Sequence, residues 1–245
     1  MDKRVKILGV QVDAVTMAQA VERVESLIAA GEPSMVATAN AEMLLNATHD
    51  DELKRILNAA SLVVPDGAGT VWAARHLGKS MPERVAGFDL VQELMKVAPS
   101  KGWRFFLFGA APGIADKAKA KAEVLYPGIQ IAGTRNGYFK PADEPDIIAQ
   151  IKASRADILL AALGVPKQEK WLAKYKDELN IPVSIGVGGT FDVMAGVVKR
   201  APLWMQRARL EWLFRAMLQP SRAGRLLALP KFVLKVHKQK TEPNS

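Results

Sequence analysis

Asp66 stands in "SLVVPDGAG", directly after a β-branched run and just ahead of two glycines. An aspartate at the carboxyl end of a strand can take a proton from a bound hydroxyl, or it can cap the helix that begins near Gly67; the sequence leaves both roles open. Thr38 and Asn40 close "SMVATAN", with Glu42 beyond them, and serve equally as ligand contacts or caps. Gly164, Lys167, Gln168 and Glu169 follow one another in "LLAALGVPKQEKW", where the polar pair either faces a ligand or fills the first turn of a helix. Gly109 and Gly113 in "FFLFGAAPG", and Gly186, Gly188 and Gly189 ahead of Thr190 and Asp192 in "SIGVGGTFDVMAG", mark two more strand-to-helix turns. Backbone N–H groups at such turns favour phosphate, although a plain tight turn accounts for each glycine as well. "GAAPG" lacks the G-x-G-x-x-G spacing of a dinucleotide fingerprint.

Metal chemistry has little to work with. The chain has no cysteine, and His49, His76 and His237 are scattered without ligand spacing. No two aspartates lie one residue apart, the arrangement with which many sugar-nucleotide transferases hold a divalent ion. If a diphosphate leaves here, positive side chains and backbone amides must stabilise it, with no metal or other cofactor expected.

The elements that must position these residues alternate along the first two hundred positions. Short apolar runs ("RVKILGVQV", "SMVATA", "SLVVP", "WRFFLFG", "IQIAG", "DILLAAL", "PVSIGV") are separated by amphipathic stretches. The pattern predicts an α/β fold, a Rossmann-like, mostly parallel sheet with helices on both faces. "TMAQAVERVESLIAAG" reads as a helix opened by a capping box of Thr16 and Gln19 and stopped by Gly31. No run approaches the roughly 18 apolar residues of a spanning helix, and the first residues do not read as a signal peptide.

The formal charge of +9 is distributed unevenly. Residues 199–245 hold eleven Lys or Arg against two Glu, so the rest of the 245-residue chain is balanced at 23 of each sign. The boundary predicted from this is an α/β catalytic domain over 1–198 and a basic, helical, amphipathic appendage over 199–245. Arg207, Glu211 and Arg215 make one charged stripe at helical spacing, and "LLALPKFVLKVHKQK" interleaves apolar and basic residues. Such a segment suits an anionic membrane surface; a helix pair packed on the core is the alternative. Nucleic acid fits less well because apolar side chains dominate the tail. The α/β pattern alone also admits a nucleotide-dependent oxidoreductase.

At "TANAEM", "VVPDGAGTVWAAR", "ERVAGFDL", "LLAALGVPKQEKW" and "GVGGTFDVMAGVVKRAPLWMQRARLEWLFRAMLQPSR" the chain resembles the WecG/TagA/CpsF family of glycosyltransferases. The likeness runs from about Arg4 to about Leu227. It implies an inverting, metal-independent transferase that moves N-acetylmannosamine, its uronic acid or a related sugar from a UDP-sugar to an undecaprenyl-diphosphate-linked sugar. The work is done peripherally, on the cytoplasmic face of the membrane, in cell-envelope or exopolysaccharide biosynthesis. By motif, the resemblance implies that Asp66 is the general base and that Thr38, Asn40 and Gln168 position donor and acceptor. It implies appendage arginines at Arg215, Arg222 and Arg225 over the diphosphate, nucleoside contacts from Tyr138 and Asp192, and self-association through the appendage.

Overall fold

The computed structural model describes residues 4–202, 204–205, 211, 213–214 and 228–242. Its centre is a six-stranded, all-parallel sheet of β3 (Ser34–Ala39), β4 (Leu62–Pro65), β5 (Arg104–Gly109), β6 (Gln130–Arg135), β7 (Ile158–Ala162) and β8 (Val183–Gly186), in the order β4-β3-β8-β7-β5-β6. These strands are the six apolar runs from "SMVATA" onward. β3, β4, β7 and β8 are buried at every position, as strands must be when helices cover both faces.

Two cores form, one on each face. Phe106, Phe108, Trp171 and Leu172 lie in the first, with helices α2 (Ala41–Asn46), α3 (Asp51–Ala59), α4 (Ala68–His76), α7 (Glu144–Ser154) and α8 (Lys167–Leu179). Phe105, Leu107, Leu94 and Phe191 lie in the second, with α1 (Met17–Ala30), α5 (Gly87–Lys101), α6 (Ile114–Leu125) and α9 (Thr190–Met194). α1 opens on the expected capping box, in which Thr16 Oγ1 accepts from Gln19 N–H and Gln19 Oε1 accepts from Thr16 N–H, and it closes on Gly31.

The first run departs from expectation. "RVKILGVQV" is not one strand of the main sheet but an antiparallel hairpin of β1 (Arg4–Ile7) and β2 (Val10–Asp13), forming its own two-stranded sheet. Its turn is Leu8–Gly9, both at positive φ, the geometry of a two-residue hairpin loop. Asp13 ties the hairpin to the body, pairing with Arg4 and accepting the Val63 N–H at 2.7 Å.

A last helix, α10 (Ala228–Thr241), docks on α2 and α4. Phe232 is 1% exposed and Val236 wholly buried, both within the first core. Phe232 lies 6.5 Å from Trp72, and Trp72 stacks on His76, whose ring nitrogen meets that of His237 at 3.3 Å. Gln239 accepts the Leu8 N–H and donates to Lys6 O, and Lys235 reaches Thr48. This helix is thus sealed to the body by packing and hydrogen bonds, with Lys231, Val233, Leu234, Lys238 and Lys240 facing outward. Among the described residues no helix is long and apolar enough to cross a membrane.

Candidate functional site

The topology creates a crevice. α6 leaves β5 for β6 on one side, while α8 leaves β7 for β8 on the other, and the two helices lie on opposite faces. Between the ends of β5 and β7, where connections diverge, open parallel sheets bind their ligands.

At the other end of the sheet, β3 and β4 pair so that Thr38 faces Val64 and Ala39 faces Pro65, which sets Asn40 and Asp66 side by side just past the last rung. Asp66 N–H donates to Ala39 O and Val64 O, and Thr70 Oγ1 donates to both Ala39 O and Asp66 O. The cap of α4 is Gly67, not Asp66, with no side-chain cap bond. Asn40 does cap: its Oδ1 accepts the Met43 N–H at the head of α2. Thr38 is buried, donates from Oγ1 to Gly186 O at 3.0 Å, and packs on the start of α5, where a Cβ at Gly87 would come within 2.9 Å of its methyl. Val85 N–H donates to Pro65 O, which lays the 78–86 loop beside Asp66.

Gln168 and Glu169 do not line the surface of α8 as first-turn polar residues usually do. They are 1% and 0% exposed, turned under the sheet. Gln168 Oε1 accepts two N–H groups, from Gly164 at 3.1 Å and Gly188 at 3.0 Å, and Nε2 donates to Glu169 Oε1 at 2.8 Å. The amides of Gly164 and Gly188, expected to face a phosphate, are therefore engaged by a side chain of the protein itself. Burial pushes the Glu169 carboxyl from its ordinary 4.5 up to about 7, against the opposing pull of the Gln168 hydrogen bond. Because the folded value is raised, the native state holds a proton that the unfolded chain has released between pH 4.5 and 7. This stabilisation is complete below about pH 4.5 and is lost as pH rises through 7. From a shift of that size, unfolding free energy should fall by about 3 kcal/mol between pH 4.5 and 8 through this group, and Glu169→Gln should abolish that fall. Urea unfolding of both proteins at the two pH values checks it; parallel pH dependences would contradict it.

Over the ends of β5 and β7 lies an open cavity of about 590 Å³ lined by Gly137, Tyr138, Phe139, Lys140, Asp143 and Lys167. Gly137 N–H donates to Ala110 O, and a Cβ on Gly137 would meet Leu163 at 2.8 Å and the Gly109 Cα at 3.1 Å, so the 136–140 loop folds back onto the crevice. Tyr138 is 73% exposed, and Lys167 Nζ lies 4.4 Å from the Phe139 ring centroid. A flat exposed aromatic beside two ammonium groups suits a planar ring attached to phosphate. Asp192 is half-buried on α9, its carbonyl accepting the N–H groups of Val197 and Val198.

Arg84, Asp89, Arg200 and Glu211 form an alternating ion cluster at the edge of the Asp66 side. Arg200 contacts Asp89 at 2.6 Å and Glu211 at 3.4 Å, Arg84 pairs with Glu211 and approaches Asp89 at 3.7 Å, and Arg200 stacks 4.7 Å from the Phe88 ring centroid. Arg215, Arg222 and Arg225 lie outside the described residues. Among the described residues no three His, Asp or Glu side chains converge as metal ligands would.

A sequence profile of the glycosyl transferase WecG/TagA/CpsF family matches residues 5–245. The chain belongs to the WecG/TagA/CpsF family of glycosyltransferases. It is 38% identical over 206 residues, 84% of this chain and 80% of the relative, to the N-acetylglucosaminyldiphosphoundecaprenol N-acetyl-beta-D-mannosaminyltransferase of Bacillus subtilis strain 168. The Staphylococcus aureus (strain NCTC 8325) protein of the same name is 34% identical over 239 residues, covering 97% of this chain and 93% of that one. Family membership replaces the oxidoreductase reading with that of a glycosyltransferase. Phe139 and Lys140 of the cavity, and the Arg84 and Arg200 cluster, were not singled out from sequence. Arg84 and Arg200 stand inside the quoted motifs, whereas Phe139 and Lys140 lie outside them, directly after Tyr138.

Proposed function

We propose that this glycosyltransferase moves N-acetylmannosamine, or a closely related hexose, from a UDP-sugar to an N-acetylglucosamine carried on polyprenyl diphosphate, with inversion and without a metal. The observation that carries this reading is the placement of Asp66. It stands beside Asn40 at the strand ends, three to four strand spacings from the cavity over β5 and β7. At about 4.8 Å per strand that is about 14–19 Å, a span suited to a nucleotide at one end and the reacting sugar at the other. The names of the two relatives supply the sugar and the acceptor.

In this reading Tyr138 stacks on the uracil, with Asp192 an additional nucleoside contact, while Lys140 and Lys167 meet the diphosphate. The turns at Gly109, Gly164 and Gly188 shape the floor. Asp66 takes the proton of the acceptor hydroxyl as its oxygen attacks the anomeric carbon, and the carbon–oxygen bond to UDP breaks on the opposite side. Thr38 and Asn40 line the acceptor side, and Gln168 positions the turns. Arg215, Arg222 and Arg225 add charge over the departing diphosphate. In this reading the outer face of α10, with its lysines around Leu234, 70% exposed, meets anionic lipid, and the enzyme works peripherally on the cytoplasmic face beside a lipid-linked acceptor. Exposed Trp204 and Val197 offer an apolar surface to a second copy of the chain.

The test is UDP release and product structure with a panel of UDP-sugars and a short-prenyl diphosphoryl-N-acetylglucosamine acceptor, in buffer containing a chelator. One N-acetylated manno-configured donor should turn over, only with acceptor present, giving a β-linked disaccharide. Turnover that depends on added metal, or an α-linked product, overturns the mechanism; equal use of every donor overturns the sugar assignment.

A further inference from the structure

Glu169 has no contact with solvent, one carboxyl oxygen bound to Gln168, and the other, Oε2, buried without a hydrogen-bond partner among the described residues. A lone buried carboxyl of this kind costs stability, so its presence calls for a reason. β8 is shaped to receive it: a Cβ at Gly186 would lie 2.7 Å from Gln168 Nε2 and 2.9 Å from Glu169 Oε1, so only a glycine lets the pair come this close. What the carboxyl touches is an amide with two faces. An acceptor at Nε2 forces the Gln168 oxygen towards the other side, where the N–H groups of Gly164 and Gly188 converge on it. A flipped amide would set two donors against two donors.

Resting on the transferase reading above, we propose that Glu169 is a positioning residue. It holds the Gln168 amide in the one orientation that ties the β7–α8 turn to the β8–α9 turn, and so fixes the distance between the cavity and the Asp66 side of the site. The connection runs through named contacts. The β7–α8 turn carries Lys167 of the cavity and Leu163 beneath the 136–140 loop. The β8 end carries Gly186, whose carbonyl receives Thr38 Oγ1 next to Asn40 and Asp66. Gln168 is the one side chain bonded to both turns among the hydrogen bonds described. Glu169 works in either protonation state, because Oε1 accepts from Nε2 in both. It acts through Gln168 and touches no substrate.

The first readout needs no substrate: amide exchange at Gly164 and Gly188, followed by NMR in protein labelled at its 18 glycines. Glu169→Met should speed exchange at both by about tenfold, the loss of one ordinary hydrogen bond's worth of protection, and Glu169→Gln, whose amide oxygen still accepts from Nε2, should hold it within about threefold of wild type. Should Glu169→Met fail to fold, Glu169→Asp, a methylene too short to reach Nε2, gives the same reading. In sugar transfer, Glu169→Met should lower kcat by about tenfold or more with a smaller change in donor KM, and Glu169→Gln should retain most of it. Placed in a Gln168→Met background, Glu169→Met should add no further loss. Unchanged exchange at the two glycines, a Gln variant as impaired as the Met variant, or additive losses in the double variant overturn the proposal. A wild type that transfers no sugar overturns the function proposed above instead, and leaves the exchange result to decide the tether by itself.

Discussion

Asp66→Asn should slow sugar transfer at least about a hundredfold while leaving the protein folded and its donor KM nearly unchanged, as loss of a general base does. The fold is expected to survive because the local architecture runs through the backbone of Asp66. Its N–H is held by Ala39 O and Val64 O, and its carbonyl by Thr70. Gly67 caps α4, so the substitution removes no cap. An asparagine is nearly the same size, keeps an acceptor oxygen and cannot take a proton at neutral pH. The measurement is kcat and KM for UDP release, with thermal unfolding alongside. Activity within a few fold of wild type would place the base elsewhere.

Gly109→Ala should produce the largest loss of stability of any single methyl added to the sheet, about 4 kcal/mol, from left-handed backbone strain and a steric collision acting together. Gly109 has φ +128°, and a Cβ there would stand 2.4 Å from Ala162 O, the atom that also accepts the Ala110 N–H from the next position. Neither side can yield, because β5 and β7 are central and paired along their length. For a chain of this size the melting temperature should drop by about 10 °C. An alanine variant melting within two degrees of wild type would show that the turn relaxes. The glycine is explained by contact between strands whether or not a phosphate lies above it.

The sheet was legible because its strands announce themselves. Six short apolar runs, four of them buried at every position, are bounded by turn residues, and α1 carries its caps in its own sequence. The hairpin was not, because Ile7, Leu8 and Val10 keep the run apolar across the turn and a single glycine marks it. Strand ends were readable as places, which is how Asp66, Asn40 and Thr38 came into view. Their partners were not: Thr38 bonds Gly186, 148 positions away. Nothing local distinguishes Gln168 and Glu169 from a solvated first turn, since what draws them inward is Gly186 at the end of a neighbouring strand and Gly188 in the turn after it. The charged tail was read by composition, and composition does not show that Phe232 and Val236, one turn apart, seal its last helix to α2 and α4. Arg84 and Glu211 meet across 127 positions, a separation that no motif spans.

That sealed helix changes what a deletion in this region can report. Glu211 is held by Arg84 and Arg200, and α10 is docked on α2 and α4, so both belong to the folded body. Cutting the chain at Lys199 therefore does two things at once, removing Arg215, Arg222 and Arg225 from the sequence and unroofing Trp72 and the core around Phe232. Only substitution of the three arginines, with Glu211 and α10 kept, separates their chemistry from the integrity of the fold.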